Sequence, residues 1–533
     1  MTWLYAHTSY YIVFALCIIW IIQCLRILYQ SNFSLSKFVR SYWVGSLLAL
    51  ILTITVFISV PVKLKVLNDE TNLLAVSQSM LYQKDAYRIS MGKYYYGNLH
   101  PVEVEIPNRP LLFPFATCLI HSVLGYHYQN VFILNFLVMF IFLSGTFVAV
   151  QKATDTFSAI AAMFLILAHP LVPIYGTSGG YDLFSTFFFA LALLVLYGFL
   201  KSPNSENFAF LWVSLLMFAN IRYESCIFFL IIVCASLKYL KLEYFKSHAY
   251  IFSLTPILSL PFIWQRLLSV GTYENPQGVA LFSIQSFLKH SIIFIENLMN
   301  LNFDLPYAGL LNLTALIIIF YILMQVMTKK LVLKRYQMVF GWILAICLST
   351  MLVIVLAHHL GRYDLPTQAR LFMYFCVFSS LIPIILRTHG PEWVTGKKLL
   401  IASIVVFLIY NPISVKHRFI NRLLATRIHH QSLAYLDSLK NRDVLIITAY
   451  SGQFTAMNFG AVNFNYANRH RHEILEELKK HLYSQILIIQ EIDIETNLPK
   501  YGNQNLDPIF KLNILREVQV LKDRWLRFSS VLI

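Results

Sequence analysis

Long apolar runs, separated by short polar links, fill most of the first 415 residues. A run of about 20 apolar residues is long enough to cross the hydrocarbon core of a bilayer as a helix. We read twelve runs as membrane spans, some of them short. The predicted spans are Thr8–Tyr29, Val44–Pro61, Val131–Val150, Phe157–Tyr175, Leu183–Leu200, Phe208–Ile221, Cys226–Leu240, Tyr250–Trp264, Ala308–Met327, Gln337–Ala357, Leu371–Leu386 and Leu399–Tyr410. A further apolar segment, Leu111–Tyr126, has prolines nearby and is predicted to lie along the outer surface or to re-enter.

The pattern changes after residue 415. The 118 residues from Lys416 onward contain 27 charged side chains, whereas the 415 before them contain 41. Strand-like runs at Asp443–Thr448 and Gln485–Ile492 flank a helix-like segment at Glu473–Leu482. We therefore predict an all-α polytopic membrane domain over residues 1–415, with its first external loop at 62–130, followed by a small soluble α/β domain over residues 416–533.

Composition narrows the class of protein. Hydrophobic residues make up 58% and charged residues 13% of the 533 residues, against about 25% charged in ordinary soluble proteins. This excludes a soluble enzyme and a disordered chain. The net charge of +16 also occurs in nucleic-acid-binding proteins, but here much of the excess lies in short loops between spans, so we predict no nucleic-acid partner.

The distribution of basic residues predicts the orientation in the membrane. The first basic residue, Arg26, lies at the far end of the first span, which places the amino terminus outside the cytoplasm. Each alternate link after it carries Lys or Arg, provided that Leu111–Tyr126 does not span. The first long loop and the C-terminal domain are therefore predicted to be extracytoplasmic.

The first candidate site lies in the long loop. Asp69 and Glu70 follow the second span and open a segment with helical apolar spacing. They are either a carboxylate pair able to accept a proton or the dipole-complementing first turn of a helix capped by Asn68. Arg109 closes the same loop and either binds a phosphate in bidentate fashion or extends toward lipid headgroups.

Further charged residues recur in the outward turns between spans. The alternatives for them are a helix cap at Asp182, a structural ion pair from the Arg222–Glu224 turn to another loop, or contacts to a substrate. Arginine is frequent in these turns, and its planar guanidinium suits phosphate oxygens. The candidates are Asp182, Arg222, Glu224, His358, Arg362 and Arg370.

Taken together, these motifs resemble the GT-C glycosyltransferases, in particular the branch of protein mannosyltransferases, lipid A aminoarabinose transferases and RgtA/B/C/D-like proteins. Asp69-Glu70 matches the Asp-Glu motif of the first external loop in that branch. Arg109-Pro110-Leu111 is similar to its Arg-Pro-Pro-Leu stretch with one proline missing. The segment Arg370 to Met373 is similar to its late Arg-Tyr-Leu-Leu-Pro stretch but lacks that Tyr and Pro, and an extra span precedes the acidic loop.

The resemblance implies a function and assigns roles. It implies a multi-pass enzyme of a bacterial inner membrane that transfers a sugar from a polyprenyl-phosphate donor to a glycan, lipid or protein acceptor on the extracytoplasmic side. Asp69 would be the general base, with Glu70 in support, and Arg109, Arg222 and Arg370 would bind the donor phosphate. We assign no metal ligands and no certain cofactor, and a divalent-cation requirement stays open. The alternative is a transporter, flippase or polymerase of lipid-linked glycans without this chemistry.

Overall fold

The computed structural model describes residues 1–268, 280–415, 424–439 and 443–532. These residues form two compact units. The sheet unit contains Met1–Tyr10, Leu64–Val131 and Arg418–Ile533, and the helical unit contains Tyr11–Lys63 and Phe132–His417. The predicted domain boundary at 415/416 falls beside residues 416–423, which lie outside the described part of the chain.

Helices dominate the chain as far as residue 415. They are α1 (Thr2–Gln30), α2 (Leu35–Ser59), α3 (Leu67–Tyr82), α4 (Leu112–Leu124), α5 (Asn130–Ala153), α6 (Thr156–Ala168), α7 (Leu171–Gly176), α8 (Asp182–Lys201), α9 (Ser205–Ala219), α10 (Ser225–Ser236), α11 (Leu242–Ser247), α12 (Ala249–Leu268), α13 (Ile284–Leu298), α14 (Gly309–Met327), α15 (Arg335–Ala357), α16 (Pro366–Ala369), α17 (Met373–Leu381), α18 (Leu386–His389) and α19 (Gly396–Val415). Short 3₁₀ turns join α16, α17 and α18 into one helical stretch, Pro366–His389.

Within the described residues, nine of these helical stretches are long and apolar enough to cross a membrane. Three shorter apolar helices, Thr156–Ala168, Ser205–Ala219 and Ser225–Tyr239, account for the other three predicted spans. Each predicted span therefore falls on helical residues, although the span predicted over Phe157–Tyr175 is divided between α6 and α7. The protein is an integral membrane protein. The segment predicted not to span contains a further short apolar helix, α4.

Polar residues at the link–helix junctions fix where several of these helices begin. Asp155 caps α6 by accepting a hydrogen bond from the Ser158 N–H at 2.9 Å. Asn204 caps α9 in the same way through the Asn207 N–H at 2.8 Å. Such caps satisfy backbone donors that have no partner inside the helix.

The sheet unit is built around seven strands in the order β2-β1-β4-β3-β5-β7-β6. The strands are β1 (Arg88–Tyr95), β2 (Asn98–Glu105), β3 (Val444–Thr448), β4 (Gly460–Val462), β5 (Gln485–Asp493), β6 (Leu512–Leu521) and β7 (Arg524–Val531). The helices of the C-terminal segment are α20 (Leu424–Ser438), α21 (Ser451–Thr455), α22 (Phe464–Arg469) and α23 (Arg471–Lys479). The strands β4, β3 and β5 are parallel, and the outer pairs are antiparallel.

The α/β character of the C-terminal segment is confirmed, with β3, α23 and β5 close to the predicted positions. The sequence did not reveal that the first long loop contributes the hairpin β1–β2 to the same sheet. Gly92 of β1 pairs with Ala461 of β4, and Lys93 of β1 bonds Glu473 and Glu477 of α23 at 2.7 and 2.9 Å. Loop and C-terminal segment therefore form one folded unit.

Candidate active site

The acidic pair lies in the first turn of α3. This helix begins at Leu67, its N-cap is Val66, and no side chain caps it. The interpretation of Asn68 as the N-cap is therefore wrong, because Asn68 already lies inside the helix. Asp69 and Glu70 are both buried, and this location places them where negative charge complements the helix dipole.

Asp69 is paired with Arg109. The Arg109 Nη2 lies 2.5 Å from the Asp69 Oδ1, and Nη1 donates to the Asn108 carbonyl at 2.8 Å. The side chains of Asp69 and Arg109 retain 11% and 20% exposure. The structure thus brings two predicted site residues, 40 positions apart in sequence, into direct contact while leaving part of each accessible.

Glu70 faces the chain that leads into α3. Its Oε2 accepts hydrogen bonds from the Lys65 and Val66 backbone N–H groups, both at 2.6 Å. Lys65 is fully buried; burial lowers the pKa of its ammonium to about 7, against the opposing effect of the Glu70 carboxylate. Glu70 therefore fixes the backbone conformation of the residues immediately before α3. The sequence analysis missed Lys65, whose signal was a lysine shortly after the second span and five residues before Glu70.

A second cluster lies in the helical unit and centres on Asp182. This residue is the first of α8, whose N-cap Tyr181 makes no side-chain cap. The Asp182 carboxylate instead accepts hydrogen bonds from Arg222 Nη1 at 3.0 Å and from Arg370 Nη1 at 3.2 Å. The helix-cap interpretation of Asp182 is therefore wrong, because this carboxylate joins two arginines that are distant in sequence.

The two arginines of this cluster differ in their surroundings. Arg222 is deeply buried, contacts Glu224 at 3.5 Å through Nε, and lies over the Tyr181 ring at 5.1 Å. Arg370 begins the 3₁₀ turn Arg370–Phe372, donates from Nε to the Thr367 carbonyl at 3.1 Å, and keeps 11% exposure. Arg222 is enclosed by the fold, whereas part of Arg370 remains accessible.

The other two candidates have different contacts. Arg362 forms a two-point pair with Asp364, with Nη2 2.5 Å from Oδ2. His358 accepts from the Leu360 N–H at 3.1 Å and lies against the Phe282 ring. Both residues organise the turn after α15, and the structure gives neither of them a contact with Asp182.

Across the described part of the chain, no three His, Cys, Asp or Glu side chains lie close enough together to hold a metal ion. The polar groups that do converge are carboxylates paired with guanidinium groups. An accessible carboxylate can take a proton from a hydroxyl, and guanidinium groups can hold a phosphate.

No protein-family model matches the chain, and neither does any curated protein sequence. Solved structures do match it. The crystal structure of ArnT from Cupriavidus metallidurans bound to undecaprenyl phosphate superposes with a TM-score of 0.53 and 11% sequence identity, over 93% of this chain and 98% of that one. The apo structure of the same protein gives 0.45 and 12%, over 92% and 98%. The chain therefore shares the fold of the ArnT structure solved with undecaprenyl phosphate.

Proposed function

We propose that this protein is a membrane glycosyltransferase that moves a sugar from a polyprenyl-phosphate donor to an acceptor outside the cytoplasm. The observation that carries the proposal is the convergence of Arg222 and Arg370 on the Asp182 carboxylate at the first turn of a membrane helix. Two guanidinium groups held at such a place, one of them partly accessible, suit the oxygens of a lipid phosphate. A carboxylate pair in the sheet unit supplies a candidate base.

The reaction follows from the chemistry of the donor. An acceptor hydroxyl attacks the anomeric carbon of the sugar and gives its proton to the Asp69 carboxylate. The bond between that carbon and the phosphate oxygen breaks, and polyprenyl phosphate leaves with the bonding electrons. Phosphate is already a good leaving group, so a base and cationic stabilisation are sufficient.

The side chains divide this work according to their surroundings. Asp69 and Arg109 are partly accessible and pair with each other, so we assign the base to Asp69 and a place near the leaving phosphate to Arg109. Arg370 is the more accessible of the two arginines on Asp182, so it is the principal phosphate ligand, while Arg222 is held behind it. Glu70 supports Asp69 by fixing the start of α3.

The fold likeness supports the choice of donor. ArnT from C. metallidurans was solved with undecaprenyl phosphate, and the chain shares its fold over nearly its whole length. We extend the lipid-phosphate class to this chain on that basis.

Lipid mass spectrometry tests the proposal. The full-length protein is purified in detergent, incubated with membrane lipid extract from a deletion strain, and assayed for release of free polyprenyl phosphate. In detergent no membrane separates two sides, so a flippase or transporter releases none, whereas a transferase does. Release that depends on this protein and disappears in Asp69→Asn supports the proposal, and the absence of any release by the wild type, with acceptor-containing extract present, overturns it.

A further inference from the structure

Helix α13, Ile284–Leu298, carries an apolar stripe that is exposed among the residues that the structure describes. Its 15 residues extend about 22 Å at ~1.5 Å per residue. Unlike the equally short apolar helix α9, it carries Lys289 and Glu296 and is not apolar enough to count as a membrane span. Ile284, Leu288, Ile292 and Ile295 are 58% to 80% exposed. Their spacing of three or four residues places all four on one face of the helix.

The opposite face of α13 is firmly packed. His290 Nδ1 lies 3.0 Å from the Leu356 carbonyl oxygen at the end of α15. Phe294 stacks on Phe372 with 5.3 Å between ring centroids and meets Tyr363 edge-on. The exposed stripe therefore belongs to a helix held in a fixed orientation.

Both ends of α13 are attached to the ends of membrane spans. At its start, the Ser283 N–H donates to the Ala357 carbonyl at 3.0 Å, where α15 ends. At its finish, Asn312 Nδ2 in the first turn of α14 donates to the Leu298 carbonyl, also at 3.0 Å. Because α14 crosses the membrane and α15 returns, the start of α14 and the end of α15 emerge on the same side. These attachments fix α13 at the level where the two spans leave the hydrocarbon.

A polar sector runs beside the stripe. Gln285, Lys289 and Glu296 are exposed and lie next to the apolar face on the helix surface. The helix surface thus has three sectors, one against the protein, one apolar and one polar. This is the distribution expected for a helix that lies in the plane of a membrane interface.

We propose that α13 is an interfacial helix whose partner is bilayer lipid, with its apolar stripe inserted at the boundary between headgroups and acyl chains. Helix α14, which is hydrogen-bonded to the last residue of α13, exposes Leu310, Ile317 and Phe320 along its length. A membrane span that exposes such side chains meets lipid there, and we assign the same occupant to the stripe. The polar sector, with one basic and one acidic residue, remains in the headgroup and water layer.

Depth measurement in nanodiscs tests this without any need for transfer activity. A small environment-sensitive fluorophore is attached in the full chain to Leu288→Cys or Ile292→Cys, with Lys289→Cys as the matched control on the polar sector. Wild type labelled in parallel gives the background from the seven native cysteines. All three replaced side chains are exposed, so the substitutions leave the packed face intact.

We expect brominated acyl chains to quench the label at positions 288 and 292 at least about twice as strongly as at 289, and aqueous iodide to show the reverse order. Equal quenching by iodide at all three positions would overturn the proposal, because the stripe would then face water. Protection of 288 and 292 from both quenchers, with disulfide cross-linking of Leu288→Cys between two chains, would overturn it in favour of a second copy as the partner.

Discussion

The two carboxylate clusters are built from the same residue types but are enclosed to different degrees. In the sheet unit, Asp69 and Arg109 keep 11% and 20% of their side-chain surface exposed. In the helical unit, Asp182 is 1% exposed and lies between two arginines. A buried carboxylate between two guanidinium groups has little freedom to exchange protons with a substrate, whereas a partly exposed one can reach an acceptor.

From this difference we infer that Asp69 is the carboxylate that reacts and that Asp182 holds its two arginines in position. Removing one member of a buried charged set leaves the remaining charges without compensation, which costs stability. Replacing a partly exposed carboxylate by its amide costs less stability, because water still reaches the group, but it removes any proton transfer that the carboxylate performs. Paired substitutions in the two clusters therefore test which carboxylate reacts and which one holds its neighbours in place.

The largest effect is expected for Asp69→Asn. The amide keeps the size of the side chain but cannot take up a proton, so transfer should fall by roughly 10²-fold or more. Membrane level should stay near wild type, and the melting temperature should fall less than in Asp182→Asn, because the amide oxygen can still accept a hydrogen bond from Arg109. Release of polyprenyl phosphate measures transfer, and thermal unfolding in detergent measures the melting temperature. Wild-type turnover in Asp69→Asn would return the acidic pair to a purely structural role.

Asp182→Asn should act mainly on folding. Loss of the charge removes the carboxylate that Arg222 and Arg370 share and leaves Glu224 as the remaining carboxylate at Arg222. We expect a cost of about 3–5 kcal/mol. The matched control is Asp155→Asn, since Asp155 also pairs with an arginine, Arg387, but the two side chains keep 29% and 42% exposure. Asn can still cap α6, so the expected cost is about 1 kcal/mol or less. Thermal unfolding and membrane yield compare the two. An equal, small loss in both variants would show that the Asp182 cluster is not the structural one.

Substitution of Arg370 tests whether the more accessible of the two arginines on Asp182 binds the donor phosphate. Arg370→Ala removes a charge-assisted contact worth about 1.5–3 kcal/mol, so the KM for the lipid donor should rise about tenfold or more. Arg370→Lys should recover part of this, because the point charge remains while the fork geometry is lost. Arg362→Ala is the matched control, since Arg362 pairs locally with Asp364. If Arg362→Ala raises the KM for the donor and Arg370→Ala does not, the phosphate is bound by Arg362 and the assignment to Arg370 is wrong.

Most of the helical architecture could be predicted because a membrane span is encoded locally, in about 20 consecutive apolar residues. All twelve predicted spans fall on helical residues for this reason. The hairpin β1–β2 could not be assigned to the C-terminal sheet, because pairing between Gly92 and Ala461 depends on contacts across more than 350 residues. Alternation within a strand gives no information about which distant strand it joins.

The sequence indicates which single charged residues are candidates, but it does not indicate which of them contact one another. Asp182 was interpreted as a cap because it precedes an apolar run, and that interpretation depends on local sequence alone. Its actual partners, Arg222 and Arg370, lie 40 and 188 positions away. Lys65 was missed because a lysine beside a span is ordinarily a headgroup contact, and only the fold shows that it is buried.

The smallest effect concerns Lys65 and sharpens the picture of the first cluster. Burial lowers the pKa of Lys65 from 10.5 to about 7, while Glu70 opposes the change. Between those values the unfolded chain holds a proton that the folded chain has released, so raising the pH stabilises the folded state. In Lys65→Met this contribution is absent. The melting temperature of the wild type relative to Lys65→Met should therefore rise from pH 7 to pH 9.5, by on the order of 2 °C.

Comparing the two proteins across the same buffers removes the titration of other groups. A constant difference would mean that Glu70 keeps Lys65 charged, and the pair would then act as a fixed ion pair at the start of α3.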